Sequence, residues 1–138
     1  MKKIGFIIFS LWATCYCAAQ TAIDEAELLA DQMQKIFMEE DFSALGKVFA
    51  PNVYLAIPAY NRQCSSPQAV RILKEFFLDK KISLFEASRK EEVMSGAIIV
   101  AAEMTAGDTD YDLFFLFKGG GEKNVLTKLT IKKKQSSQ

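Results

Sequence analysis

Few residues of this 138-residue chain could carry chemistry. Glu103 is the most informative acid. It alternates with apolar neighbours on what reads as a central strand, where burial would raise its pKa. The competing reading places it where the sheet opens to water. Asp110 and Asp112 lie two apart on one strand face and could present paired carboxylates. Because they flank the turn Gly107-Asp108-Thr109, they read better as solvated surface acids. Cys64 would be a nucleophile only beside a base. The chain contains no His, so Ser-His-Asp, Cys-His and His-based zinc sites are excluded. Cys64 therefore reads as an ordinary loop thiol. Gly119-Gly120-Gly121 is not followed by a helix and Lys-Ser/Thr, so it is not a phosphate loop. No metal site and no cofactor are expected.

Charge narrows the partners. Seventeen basic residues balance seventeen acidic ones. A nucleic-acid binder needs clustered positive charge to displace counterions, and only Lys132-Lys133-Lys134 forms a basic run. That run reads as a solvated strand end, so no nucleic-acid partner is expected. Half the residues are apolar and a quarter charged, the composition of a globular domain.

The N-terminus reads as an address. Met1-Lys2-Lys3 is a cationic flank, Ile4 to Cys17 an uncharged apolar run, and Ala18-Ala19 a small-residue stop. This is the order of a secretory signal, and the run is shorter than the ~20 residues a membrane span needs. Cys15 follows Thr14 and Cys17 follows Tyr16, which argues against lipidation. The expectation is a signal over residues 1–19, a single domain over 20–135 and a frayed tail at 136–138. The alternative is an uncleaved anchor. The expected location is periplasmic or secreted, with no membrane contact after cleavage. Removal of the signal takes Cys15 and Cys17 with it, so no internal disulfide can form.

The elements that must position the candidates follow from periodicity. Ile23, Ala26, Leu29, Ala30, Met33, Ile36 and Phe37 form one stripe, predicting a helix over Thr21–Asp41 with Thr21 and Asp24 in a capping box. Asp41 is expected to cap a second helix, FSALGKVFA, stopped by Pro51 and Asn52. A strand over Asn52–Ile57 and a polar loop over Ala59–Ser66 come next. A third helix opens at Ser65 or Ser66 with Pro67 in its first turn. Val70, Leu73, Phe76 and Phe77 form its core side. From Ile82 the period becomes two, predicting strands Ile82–Lys90, Ser95–Ala106, Asp110–Lys118 and Asn124–Lys133. Short turns make the last three antiparallel. The class is α+β, with three helices packed on one face of a strongly curved, mostly antiparallel sheet.

The stretch DFSALGKVFAPNVYLAIP, with a helix before it and a helix plus four-strand meander after it, resembles the nuclear transport factor 2-like superfamily. The likeness covers the mature chain. Within it, the Phe76-Phe77 pair on the third helix resembles small exported bacterial proteins classed as a domain of unknown function. The resemblance implies a cystatin-like cone and does not choose an activity. The dehydratase branch of such cones uses His, which is absent. The isomerase branch uses a tyrosine with acids, for which Tyr54, Tyr111, Asp110, Asp112 and Glu103 are the candidates, with Glu103 and Asp112 the acids of the enzyme reading. The epoxide-hydrolase branch needs an Asp-Arg-Asp network, and Arg62, Arg71 and Arg89 assemble none.

Strand patterning points to partners. Asn124–Lys133 alternates, whereas Ala97–Ala102 and Leu113–Phe117 are apolar on both faces. One face packs on the helices. The other, with about three large apolar residues per strand, would be covered by a second copy in a twofold dimer, the pairing that the resemblance also implies. The reading is a non-catalytic, exported binding or interaction module. A small apolar ligand between helices and sheet would be lined by Phe49, Tyr54, Phe77, Phe85 and Phe115. The alternative is a small-pocket isomerase- or hydrolase-like enzyme using an acid and a tyrosine.

Overall fold

The computed structural model describes residues 25–93, 96–119 and 124–134. The expected signal, the Thr21 capping box, residues 120–121 of the triple-glycine turn and the tail lie outside them. Helix α1 covers residues 25–39 and buries Ala26, Leu29, Ala30, Met33, Ile36 and Phe37, the stripe that periodicity selects. It ends where Glu40 takes a left-handed conformation (φ 55°). The Glu40 N–H donates to the Phe37 carbonyl and the Asp41 N–H to that of Ile36, which satisfies the last turn.

Helix α2 is only Phe42–Gly46, and the Asp41 side chain makes no capping bond. The expected continuation to Ala50 fails for two reasons. The Ser66 hydroxyl takes the Gly46 carbonyl at 3.0 Å. The Leu126 N–H takes that of Val48 at 2.8 Å, drawing the chain into the sheet. Strand β1 therefore runs Phe49–Ile57, and Pro51 is an exposed residue within it. It sits where the pairing register shifts between Phe49 and Tyr54, a place that tolerates a missing N–H.

The expected polar loop is largely a strand, β2 (Tyr60–Ser65), paired antiparallel to β1 through the Pro58-Ala59 turn. Its polarity comes from its place at a sheet edge, where only Cys64 is buried. Helix α3 (Ser66–Phe76) follows, with Ser65 Oγ accepting from the Gln68 N–H. Ala69 and Leu73 are buried on it, and Phe77 just beyond it, while Val70 and Phe76 are half-buried.

Strands β3 (Ile82–Val93), β4 (Ala97–Ala106), β5 (Thr109–Gly119) and β6 (Asn124–Lys133) form the meander. The sheet order is β2-β1-β6-β5-β4-β3, with β1 and β6 parallel and every other pair antiparallel. The β4–β5 turn needs Gly107, whose φ is +62°. In β6 the strict alternation fails at Thr127. Lys128 opposes Leu116 while Leu126 opposes Phe117, so Thr127 is an extra residue in the ladder. Its hydroxyl donates to the Leu116 carbonyl at 3.2 Å. This bulge turns both Leu126 and Leu129 inward, where neither has exposed surface.

Three helices thus cover one face of a curved, mostly antiparallel six-stranded sheet, and the fold is α+β. The core lies between them. Phe37 is at its centre, with ring centroids 5.3–6.3 Å from Phe42, Phe77, Phe85 and Phe115 and mostly edge-to-face.

Candidate functional site

The sheet sends alternate side chains to two very different places. Of the five residues expected to line an inner pocket, Phe49, Phe77, Phe85 and Phe115 are buried in the core. Phe77 stacks on Phe42 at 5.3 Å, and Phe115 on Phe117 at 6.3 Å. Tyr54 is not with them. It projects from β1 on the opposite face, 38% exposed, and hydrogen-bonds Asn61 on β2.

The catalytic candidates divide in the same way. Tyr111 points inward, 4% exposed, with its ring edge-to-face on Phe76 at 5.9 Å. Glu103 and Asp112 are direct cross-strand neighbours on the outer face. Glu103 reaches solvent and accepts from the Lys134 ammonium at 3.1 Å. That bond, with the nearby Glu103 charge, raises the Lys134 pKa above the ordinary lysine value. Asp110 instead accepts from the Thr105 hydroxyl at 2.7 Å. An acid and a tyrosine therefore do not meet at Tyr111, because the sheet lies between that ring and the carboxylates. Cys64 is a buried thiol on β2, not a loop thiol, and its burial pushes its pKa up. Among the described residues no group of three or more metal-ligating side chains comes together.

What the strands do bring together is an ordered outer surface. Cross-strand pairing aligns its residues in three rows. The first row runs Glu86, Glu103, Asp112, Lys132 from β3 to β6. The second runs Arg89, Ala101, Phe114, Thr130, Ala56, Asn61 from β3 to β2. The third includes Ile99, Leu116, Lys128, Tyr54 and Gln63. Phe114 is 45% exposed, and Ile99 and Leu116 are half-buried. The outer face of β4 and β5 thus carries three large apolar side chains in all. The sequence expectation of about three per strand fails because β4 contributes Ala97 and Ala101 at its other apolar positions.

A groove of about 510 Å³ lies on this face, bounded by Tyr54, Ala56 and Asn61 on one side and Ile99, Phe114 and Leu116 on the other. Lys128, Thr130 and Lys132 of β6 form its floor. The Lys128 ammonium sits 5.5 Å from the centre of the Tyr54 ring. A second hollow, about 560 Å³, continues along β6 past Asp112, Thr130 and Lys132. These β6 residues were missed as site residues. Their signal was available, since Lys128, Thr130 and Lys132 share one face by alternation, but only the strand order places that face beside Phe114.

Comparison with known proteins fits the architecture. A family described as Domain of unknown function (DUF4783) matches residues 30–132. A DUF4783 protein from Bacteroides uniformis superposes with a TM-score of 0.69 at 17% identity, over 75% of this chain and 95% of that one. A DUF4783 protein from Bacteroides fragilis gives 0.68 at 17%, over 74% and 95%. An NTF2-like protein from Cytophaga hutchinsonii gives 0.60 at 8%, over 80% and 97%. No curated protein matches the chain. Three helices on this six-stranded sheet, and a family match over most of the length, place the chain in the DUF4783 family with an NTF2-like fold.

Proposed function

We propose that this chain is an exported, non-catalytic binding module that works through the outer face of its sheet, with a second copy of itself as the occupant. The observation that carries the reading is the uncovered strip of Phe114, Leu116, Ile99 and Tyr54 on the face opposite the helices. Contiguous exposed apolar surface of this kind marks interaction sites, and a homodimer is the simplest closed assembly that hides it. The groove there is shallow and open, which suits another protein surface better than an enclosed small molecule. The phenylalanines expected to hold a small apolar ligand inside instead pack on one another, which favours the outer face over the inner one. The enzyme reading receives no support from Glu103, whose carboxylate is solvated and already ion-paired. Export rests on the cationic, apolar and small-residue order of residues 1–19.

Light scattering on the protein recovered after export tests the reading. The expected result is a dimer at micromolar concentration, converted by Phe114→Glu to a folded monomer. A clean wild-type monomer overturns it. N-terminal sequencing of the recovered protein checks the leader, with a start at Gln20 expected.

A further inference from the structure

The charges on the outer face are not scattered evenly, and their arrangement selects how two copies meet. The surface row of acids, Glu86, Glu103 and Asp112, occupies β3, β4 and β5. The lysines Lys128 and Lys132 lie across the midline on β6. Glu103 has Lys134 as its partner, whereas Asp112 and Lys132 oppose each other across β5 and β6 without forming an ion pair within 4.0 Å among the described residues.

Face-to-face twofold pairing requires an axis in the plane between the sheets. Stacked sheets prefer aligned or orthogonal strands. Aligned strands leave two choices of axis, across the strands or along them. An axis across the strands, through the row containing Phe114, exchanges the first and third rows. It sets Lys128 against Lys132 of the other copy, Asp112 against Leu116, and Glu103 against Ile99. Like charges meet, and Asp112, which has no ion-pair partner in its own chain among the described residues, is pressed onto an apolar side chain. An axis along the strands keeps each row at its own level and exchanges the two halves of the sheet. The sheet has three strands on either side of the β6–β5 boundary, so this axis also gives the fullest overlap. Ile99 then faces Tyr54, Ala101 faces Ala56, Phe114 faces Thr130, and Asp112 faces Lys132. The stem of Lys128 lies along Leu116, while its ammonium reaches water at the end of the face.

We infer that two copies pair about a twofold axis running along the strands between β5 and β6, with Asp112 of each copy locked to Lys132 of the other. This rests on the reading of the outer face as the partner surface and specifies the seating. An orthogonal stacking, with a diagonal axis, gives Asp112 no opposing lysine.

Charge reversal with mixing tests the seating. Asp112→Lys sets lysine against lysine, and Lys132→Asp sets aspartate against aspartate. Each alone is expected to weaken the dimer on the order of a hundredfold. Mixed one to one, the two variants restore both opposite-charge pairs, so native mass spectrometry should show a mixed dimer and little of either homodimer. Within each chain the reversed residue still faces a like charge, so rescue on mixing reports contact between copies and not repair of the fold. Circular dichroism confirms that each variant is folded. Should a reversal fail to fold, Asp112→Asn and Lys132→Gln replace it, with weaker dimers expected from each. A wild-type dimer that ignores the single reversals, or variants that stay monomeric when mixed, overturns this seating and leaves the surface reading standing. A wild-type monomer overturns both.

Discussion

Cys64 shows how a single side chain takes its properties from the face it occupies. It is the one buried residue of β2, 7% exposed, and burial disfavours its thiolate. The raised pKa keeps the folded thiol neutral where an unfolded thiol ionises, from about pH 8.5 upward. The stabilising contribution is therefore complete below that range and is lost as pH rises through the folded value. Two measurements follow. Labelling by an aromatic disulfide reagent at pH 8 should be slow in the native protein and fast in urea. The stability difference between wild type and Cys64→Ala should shrink between about pH 8 and pH 10. A difference that stays constant over that window would contradict the assignment. The sequence made Cys64 a loop residue because YNRQCS lacks the apolar alternation of a half-buried strand. An edge strand with most of its side chains in water has no such alternation to read.

Strand β6 shows what periodicity reveals and what it conceals. Its boundaries, Asn124–Lys133, match those read from the alternating pattern. Its register does not, because the extra residue at Thr127 shifts the phase and carries Leu126 to the core. A bulge has no residue signature that separates it from one more step of an alternating strand. It exists because the curved ladder can then bury Leu126, Leu129 and Ile131 together. Deletion of Thr127 should leave Leu126 and Leu129 two positions apart, both inward by plain alternation, so the core should survive it and only the local bend of the ladder should change. Leu126→Ala empties a core position instead, and loss of one buried leucine costs roughly 2–5 kcal/mol, a large part of the stability of a domain this size. Urea unfolding should show that loss for Leu126→Ala, whereas Thr127→Ala, which removes only the bond to the Leu116 carbonyl, should cost about 1 kcal/mol. Helix α2 makes the same point in another way. FSALGKVFA reads as helix locally, yet the Val48 carbonyl is claimed by Leu126, 78 positions along the chain. Contacts of that separation cannot be seen in a local window.

Taken as a molecule, the protein puts its aromatic weight on one side of the sheet and its unsatisfied apolar surface on the other. The first and third helices, the meander and the two-faced character of β4 and β5 were legible from apolar spacing. The grouping of Tyr54, Phe114 and Lys132 was not, because it depends on β6 pairing in parallel with β1 between the hairpin and the meander. If two copies cover that outer face, association and folding are linked. A partner that binds only the native chain raises its apparent stability by mass action. The melting temperature of the wild type should then rise with protein concentration between micromolar and submillimolar, and that of Phe114→Glu should not. The aspartate–lysine contact adds a second dependence. Part of it lies at the rim of the joined faces, where salt screens charge over about 10 Å at 0.1 M. Raising the salt from 0.05 M to 0.5 M should weaken the wild-type dimer while leaving the apolar contacts of Phe114 and Ile99 unharmed, so dissociation should be partial. A melting temperature independent of both concentration and salt would mean that the exposed Phe114 strip belongs to a monomer, and that its partner is not a second copy of this chain.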